Sequence, residues 1–243
     1  MKAWGITHKG AVREENQDAF YLALPSENLA LGVVCDGMGG ARGGNVASRM
    51  AVECFSEQML SSLRPGLEEG TLKEMLTRAA EIANGALYMR SQEDPALSGM
   101  GTTLVAAVAE SSRALLLNVG DSRAYRLSPG AVTRLTNDHS VVEDMVQRGK
   151  ITREQARVHP QKHLITRALG AEETVLCDVF STQVNPGDFL LLCSDGLVNT
   201  VSDQELLYEA LHGEIPENCC ERLLQIALSR GAPDNVTVLL FQI

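Results

Sequence analysis

Three apolar runs in this chain stop against an aspartate and a glycine. Residues 29–35 run into Asp36-Gly37, residues 114–119 into Gly120-Asp121, and residues 189–193 into Ser194-Asp195-Gly196. Runs this short, bounded by turn residues, read as buried strands. A carboxylate at the end of a buried strand is held by rigid backbone on one side and open on the other, which suits a metal ligand. After the first run, Gly37, Gly39, Gly40, Gly43 and Gly44 let the backbone turn tightly and approach an ion or an anion. Alone, this stretch reads equally well as a strand-to-helix turn with a polar cap, so the rest of the chain decides.

Residues 4–8 read as a first strand, turned by Lys9-Gly10. Residues 19–24 read as a second, joined to 29–35 through Pro25-Ser26-Glu27-Asn28. Asp18 then opens one arm of an antiparallel hairpin and Asp36 closes the other, at the same edge of the sheet. Two carboxylates so placed repel unless a cation sits between them. Helices are expected over 44–63 and from Thr71, where Thr71-Leu72-Lys73-Glu74 has the form of a capping box. Ala47, Met50, Ala51, Cys54, Phe55 and Met59 make one apolar face. Leu72, Met75, Leu76, Ala79, Ala83 and Leu87 make the other, so each helix is expected to cover a sheet.

Beyond Gly101-Thr102-Thr103, strands at 104–109, 114–119, 124–127 and 132–135 have the spacing of an antiparallel meander. A helix from Asp138-His139-Ser140 to Arg148, a capping box at Thr152-Arg153-Glu154-Gln155 and a stop at His159-Pro160 mark a polar excursion over 136–168. His139, His159 and His163 fall in it, at spacings that match no zinc motif, and read as solvated or structural. Strands at 175–184, 189–193 and 236–243, with helices at 203–212 and 217–230, complete what reads as one domain over residues 1–243.

A net charge of −10 argues against nonspecific binding to nucleic acid. With 4% aromatic residues the core has to be aliphatic. The six cysteines form no C-x-x-C pair and read as buried hydrophobes in a reducing compartment. No apolar run is long enough to span a bilayer and no signal-peptide core is present, so a cytoplasmic protein without a membrane partner is expected.

Five aspartates, Asp18, Asp36, Asp121, Asp195 and Asp234, stand at strand termini beside glycine, proline or polar turns. If they converge they form an all-oxygen site, which selects hard ions, Mg²⁺ or Mn²⁺. Several carboxylates stay ionised together only with cations between them, so more than one metal is implied. Two ions sharing Asp36 would hold a water between them and lower its pKa, giving hydroxide at neutral pH. Attack on phosphorus then needs a cation to grip the phosphate oxygens. Arg13, five residues before Asp18, is the candidate fork, against the plainer reading of a solvated turn arginine.

The ordered set R-x-x-N-Q-D, V-x-D-G-M-G-G, G-T-T, V-G-D-S-R-x-Y, D-H-S, H-P, R-A-L-G, S-D-G-L and P-D-N-V-T resembles the metal-dependent protein phosphatases of the 2C type, bacterial branch, from about Trp4 to Ile243. The resemblance implies an α+β fold: a central β-sandwich of two antiparallel sheets flanked by pairs of antiparallel helices, with a flap at about 136–168. It implies hydrolysis of phosphoserine and phosphothreonine on proteins by a metal-bridging hydroxide. Asp36 would bridge two core ions, the Gly37 carbonyl would bind one, and Asp195 and Asp234 would complete the other. Asp18 would act directly or through metal-bound water, Asp121 would hold a third, weaker ion, and Arg13 would bind the phosphate. Two positions depart from relatives. Met38 stands where animal members often carry a histidine, and Asn199 stands where many relatives have aspartate. Methionine donates no proton, so no side chain is assigned as the acid.

Phosphoproteins and a partner Ser/Thr kinase are the implied partners, with a monomer as the default state. Two other classes fit the sequence less well. A non-catalytic, metal-binding regulator of the same fold would be expected to lack an aspartate at 36, 195 or 234, and none is missing. A P-loop nucleotide binder needs G-K-[ST] after the glycines, and residues 39–48 have none.

Overall fold

The computed structural model describes residues 1–213 and 215–243, with the side chains of all of these except 40–42. In chain order the elements begin with β1 (Lys2–His8), β2 (Asp18–Ser26), β3 (Leu29–Met38), α1 (Gly40–Leu60), α2 (Glu69–Glu93), β4 (Gly101–Thr102), β5 (Leu104–Glu110) and β6 (Arg113–Val119). They continue with β7 (Arg123–Ser128), β8 (Ala131–Arg134), α3 (Val141–Gln147), α4 (Arg153–Arg157), β9 (Asp178–Gln183) and β10 (Phe189–Cys193). The last are α5 (Asp195–Val198), α6 (Asp203–His212), α7 (Cys219–Ser229) and β11 (Val236–Gln242).

Two antiparallel sheets result. One is ordered β1-β11-β10-β7-β8. The other is ordered β2-β3-β5-β6-β9, with β4 paired to the end of β3. The alternation along β3 shows why they stack. Leu29, Leu31, Val33 and Cys35 pack with Ala47, Phe55, Met59, Leu76 and Leu87 of α1 and α2. Ala30 and Val34 face the other sheet with Ala107, Ala109, Ala124, Leu192 and Phe241. The opposite outer face packs Leu191, Val238 and Leu240 against Leu206, Leu223 and Ala227 of α6 and α7. The order is therefore helices, sheet, sheet, helices, as the resemblance implied.

Small residues between the sheets bring them close. A Cβ on Gly32 would overlap the Phe241 ring, so glycine at this position is what admits one of the few aromatics to the centre. All six cysteines are free, four of them buried. Among the described residues no helix is long and apolar enough to cross a membrane.

The structure corrects several boundaries. β3 does not stop at Asp36; it runs on to Met38 because Gly37 and Met38 pair with Thr102 and Gly101. The meander is broken. β5 and β6 belong to one sheet and β7 and β8 to the other, because the chain crosses at Gly120, whose φ of +102° is open to glycine. The 44–63 helix instead spans Gly40–Leu60. The helix expected from Thr71 opens at Glu69 with no side-chain cap, and the Glu69–Lys73 pair at 2.6 Å spans its first turn. The strand expected from 175 starts at Asp178. Pro216 confines the start of the last helix to a 3-10 turn over Pro216–Asn218 before α7 begins. The capping boxes at Thr152 and Ser202 are both formed.

Candidate active site

Arg13, Asp36, Gly37, Asp121, Asp195 and Asp234 line one cleft of about 880 Å³ at the edge of the sandwich. Asp18 lies behind it, 6% exposed. The elements explain the convergence. Asp18 and Asp36 are directly opposed across the β2–β3 hairpin. Asp195 follows β10 and Asp234 precedes β11, two antiparallel neighbours in the facing sheet. Asp121 sits where the chain passes between the sheets. The five aspartates thus come from strand ends of both sheets at one rim.

Backbone pins hold the rim in place. The Asp36 N–H donates to the Thr103 hydroxyl at 2.9 Å, and the Asp36 carbonyl accepts from the Thr102 hydroxyl at 2.8 Å and the Thr103 N–H at 2.9 Å. The Gly37 N–H donates to the Gln17 carbonyl at 3.1 Å, and a Cβ on Gly37 would overlap the Gly44 carbonyl. Asn235 ties three polar segments together. Its side-chain amide donates to the Lys9 and Glu15 carbonyls, both at 2.9 Å, and its oxygen accepts from the Gln17 N–H at 2.9 Å.

Electrostatics show how closely the carboxylates are packed. Burial first, and then Asp18, Asp195, Asp121 and Asp234 in turn, push the Asp36 carboxyl well above its ordinary range. Burial likewise raises Asp121, with Asp195 and Asp138 adding to it, and raises Asp195, with Asp234 adding. Asp18 is pushed up to about 7 by burial, although the Thr237 and Ser194 hydroxyls work against the shift. Those hydroxyls donate to one carboxylate oxygen of Asp18, Oδ2, at 2.6 and 2.7 Å. Its other oxygen, Oδ1, is buried and has no partner, and so is Oδ1 of Asp195, whose Oδ2 accepts from Asn199 at 3.0 Å.

Among the described residues no three acidic, His or Cys side chains are already drawn into a single cage. Asp234 takes a protein donor, Arg13, at 2.8 Å. The two orphaned buried oxygens are the sign that these residues fit a cation. A buried acceptor without a partner is costly, and an all-oxygen donor set is the kind a hard divalent ion takes.

Arg13 lies at the mouth with a side chain 55% exposed. Its bond to Asp234 holds its guanidinium in the charged form. Two readings of the histidines separate here. His139 is buried and structural: its Nδ1 accepts from the Gly120 N–H at 3.1 Å, and its carbonyl accepts from the Thr166 N–H at 2.8 Å. His163 is exposed and lines the cleft. The 136–168 excursion is less peripheral than its polarity suggests. Asp138, His139, Ser140 and Glu143 are buried, and Asp138 is gripped by both Arg123 and Arg134.

Sequence reasoning passed over Ser194 and Thr237, which orient Asp18, and Asn235, which ties the loops. All three stand inside motifs read only for their aspartates, S-D-G and P-D-N-V-T. A polar residue one or three positions from a buried carboxylate was the available signal.

Comparison with known proteins accords with this geometry. The family model for Protein phosphatase 2C matches residues 7–223. The serine/threonine phosphatase stp of Listeria monocytogenes serotype 4b (strain F2365) is 36% identical over 242 residues, covering 100% of this chain and 96% of that protein. The crystal structure of serine/threonine phosphatase Stp1 from Staphylococcus aureus superposes with a TM-score of 0.93 at 35% identity, over 100% of this chain and 94% of that one. The catalytic domain of serine/threonine protein phosphatase PstP, solved in complex with two manganese ions, gives 0.84 at 34% identity, over 98% and 96%. With the family model spanning most of its length and relatives above 30% identity along all of it, this chain belongs to the protein phosphatase 2C family.

Proposed function

We propose that this chain is a metal-dependent serine/threonine protein phosphatase, a single catalytic domain over residues 1–243 that releases phosphate from phosphoserine and phosphothreonine in proteins. One observation carries the reading: Asp36 lies within electrostatic range of the other four aspartates, and two of those keep buried oxygens without partners. Asp36 would be the ligand shared by two ions, with the Gly37 carbonyl, Asp195 and Asp234 completing the set and Asp18 acting directly or through water. Bound there, Mn²⁺ or Mg²⁺ supplies an activated water and neutralises phosphate charge. Asp121 would hold a third, weaker ion.

The chain's own groups do the rest. Arg13 has five N–H donors, of which among the described residues only one is engaged, with Asp234, so it keeps a fork for two phosphate oxygens. The Asp36 backbone, pinned through Thr102 and Thr103, fixes where the shared carboxylate points. Met38 lines the cleft but has no proton to give a leaving alkoxide. The substrates are phosphoproteins, the expected counterpart is a Ser/Thr kinase, and the enzyme acts as a cytoplasmic monomer.

The test is phosphate release from a phosphothreonine peptide with Mn²⁺, with Mg²⁺ and with EDTA, alongside Asp36→Asn. Release that needs metal and falls at least a thousandfold in the variant is expected. Near-native turnover in folded Asp36→Asn would remove the shared-ligand assignment. Absence of release with any metal from the folded native chain would favour a regulator of the same fold.

A further inference from the structure

A second groove of about 610 Å³ opens beside the catalytic cleft and shares Asp121, Lys162, Asp195 and Asn199 with it. Its walls are the β7–β8 strands, the α3–α4 segment and the turn that follows α5. A chain lying in the cleft with its phosphate at Arg13 and Asp36 therefore has a continuous path into this groove.

The groove's charge differs from that of the molecule. The protein carries a net charge of −10, yet this groove is lined by six cationic side chains and five carboxylates, two of which, Asp121 and Asp195, belong to the catalytic cluster. Arg123 and Arg134 share the single carboxylate of Asp138, and Arg153 is taken by Glu143 at 3.2 Å. That cluster keeps one positive charge in surplus. Arg230 is neutralised by Glu205 at 2.5 Å. Arg157 and Lys162 are different, because neither forms a salt bridge among the described residues. Arg157 is exposed at the end of α4, with the Glu154 carboxylate within electrostatic range one helical turn earlier. Lys162 is half-buried and stands where the groove meets the cleft. Asp203 is the one carboxylate of the groove that has no salt bridge and lies away from the catalytic cluster. The tightly tied arginines build the wall, and the two cations without ion pairs face whatever enters.

We propose that this groove binds the polypeptide flanking the phosphorylated residue and selects acidic side chains there, with Arg157 and Lys162 as the specificity-determining residues. The inference rests on the phosphatase reading and narrows its substrate class to phosphosites with Asp or Glu close by on one flank. Partly exposed charge pairs of this kind discriminate by severalfold and weaken with salt.

The experiment uses the full chain loaded with Mn²⁺ and phosphothreonine peptides that carry Asp, Asn or Lys at each of four positions on either side. The readout is the ratio of kcat/KM for the Asp peptide to that for its Asn counterpart, measured within each protein, so a general loss of activity cancels. About fivefold preference for Asp at one or two positions on one flank is expected, with Lys disfavoured. In Arg157→Ala/Lys162→Ala the ratio falls to about one, and in Arg157→Glu the Lys peptide gains on the Asp peptide. Raising the salt to 0.5 M shrinks the native ratio. A native ratio near one at every position overturns the proposal while leaving the phosphatase reading intact, and so does a preference that survives in both variants. Failure to release phosphate from any peptide and from p-nitrophenyl phosphate overturns both.

Discussion

Asp18→Asn is expected to raise the stability of the metal-free protein and to weaken its hold on metal. Asp18 is 6% exposed, and both donors that reach it, Ser194 and Thr237, go to Oδ2, leaving Oδ1 buried among other carboxylates. Burial moves its pKa from 3.8 up to about 7. The unfolded chain releases this proton near pH 4, whereas the folded chain keeps it to about pH 7. Between those values the folded state binds more protons, so stability falls as pH rises across the window and levels off above it. Some three pKa units at about 1.4 kcal/mol each come to roughly 4 kcal/mol lost by pH 8. Asparagine is never ionised. Its oxygen can accept from both hydroxyls while its amide donates toward the carboxylates on the other side. Urea unfolding of the full chain in chelator is expected to show the variant more stable by roughly 4 kcal/mol at pH 8 and by under about 2 kcal/mol at pH 5. For a chain of this length the pH 8 gain corresponds to about 10 °C in Tm. Calorimetry at pH 8 should show weaker Mn²⁺ binding by the same variant. A variant no more stable than the native chain at pH 8, or a gain independent of pH, would refute the reasoning.

Three further perturbations test neighbouring parts of the same argument. Thr237→Val keeps the shape but removes a 2.6 Å donor from Asp18, so a loss of about 2 kcal/mol at pH 8 in chelator, about tenfold weaker Mn²⁺ binding, and rescue of both by Thr237→Ser are expected; unchanged Mn²⁺ affinity by calorimetry would show the hydroxyl to be incidental. Gly196→Ala places a Cβ against the Asn235 carbonyl and must push apart the turn carrying Asp195 and the segment carrying Asp234, so thermal melts should register a loss of about 1–3 kcal/mol; a native Tm would mean the turn yields without cost. Asp121→Ala should lower turnover while the tight Mn²⁺ binding seen by calorimetry persists, and loss of that tight binding would place Asp121 among the core ligands instead.

What could be read from the sequence, and what could not, divides along a physical line. Strands such as Leu29–Met38 and Phe189–Cys193 are apolar because both of their faces are buried, and that pattern is local. The pairing of Asp18 with Asp36 followed from a hairpin, which is also local. The crossing at Gly120 was not legible. β5 to β8 have the spacing of a meander, and only the inter-sheet packing of Ala107 and Leu116 against Ala124 and Leu192 decides that β7 leaves its predecessor's sheet. The start of β3's last pair was hidden for the same reason, since it depends on a two-residue strand, Gly101–Thr102, more than sixty residues away. The aspartates could be picked out because each stands at one end of an apolar run. Their partners could not, because Ser194 and Thr237 reach Asp18 across 176 and 219 residues and look locally like a strand end and a strand interior. The asymmetry follows from the physics of a buried carboxylate. An acid placed at the edge of an apolar strand marks itself, since its cost has to be met by something. The hydroxyls that meet it are ordinary in strands and gain their meaning only when the second sheet closes over the first.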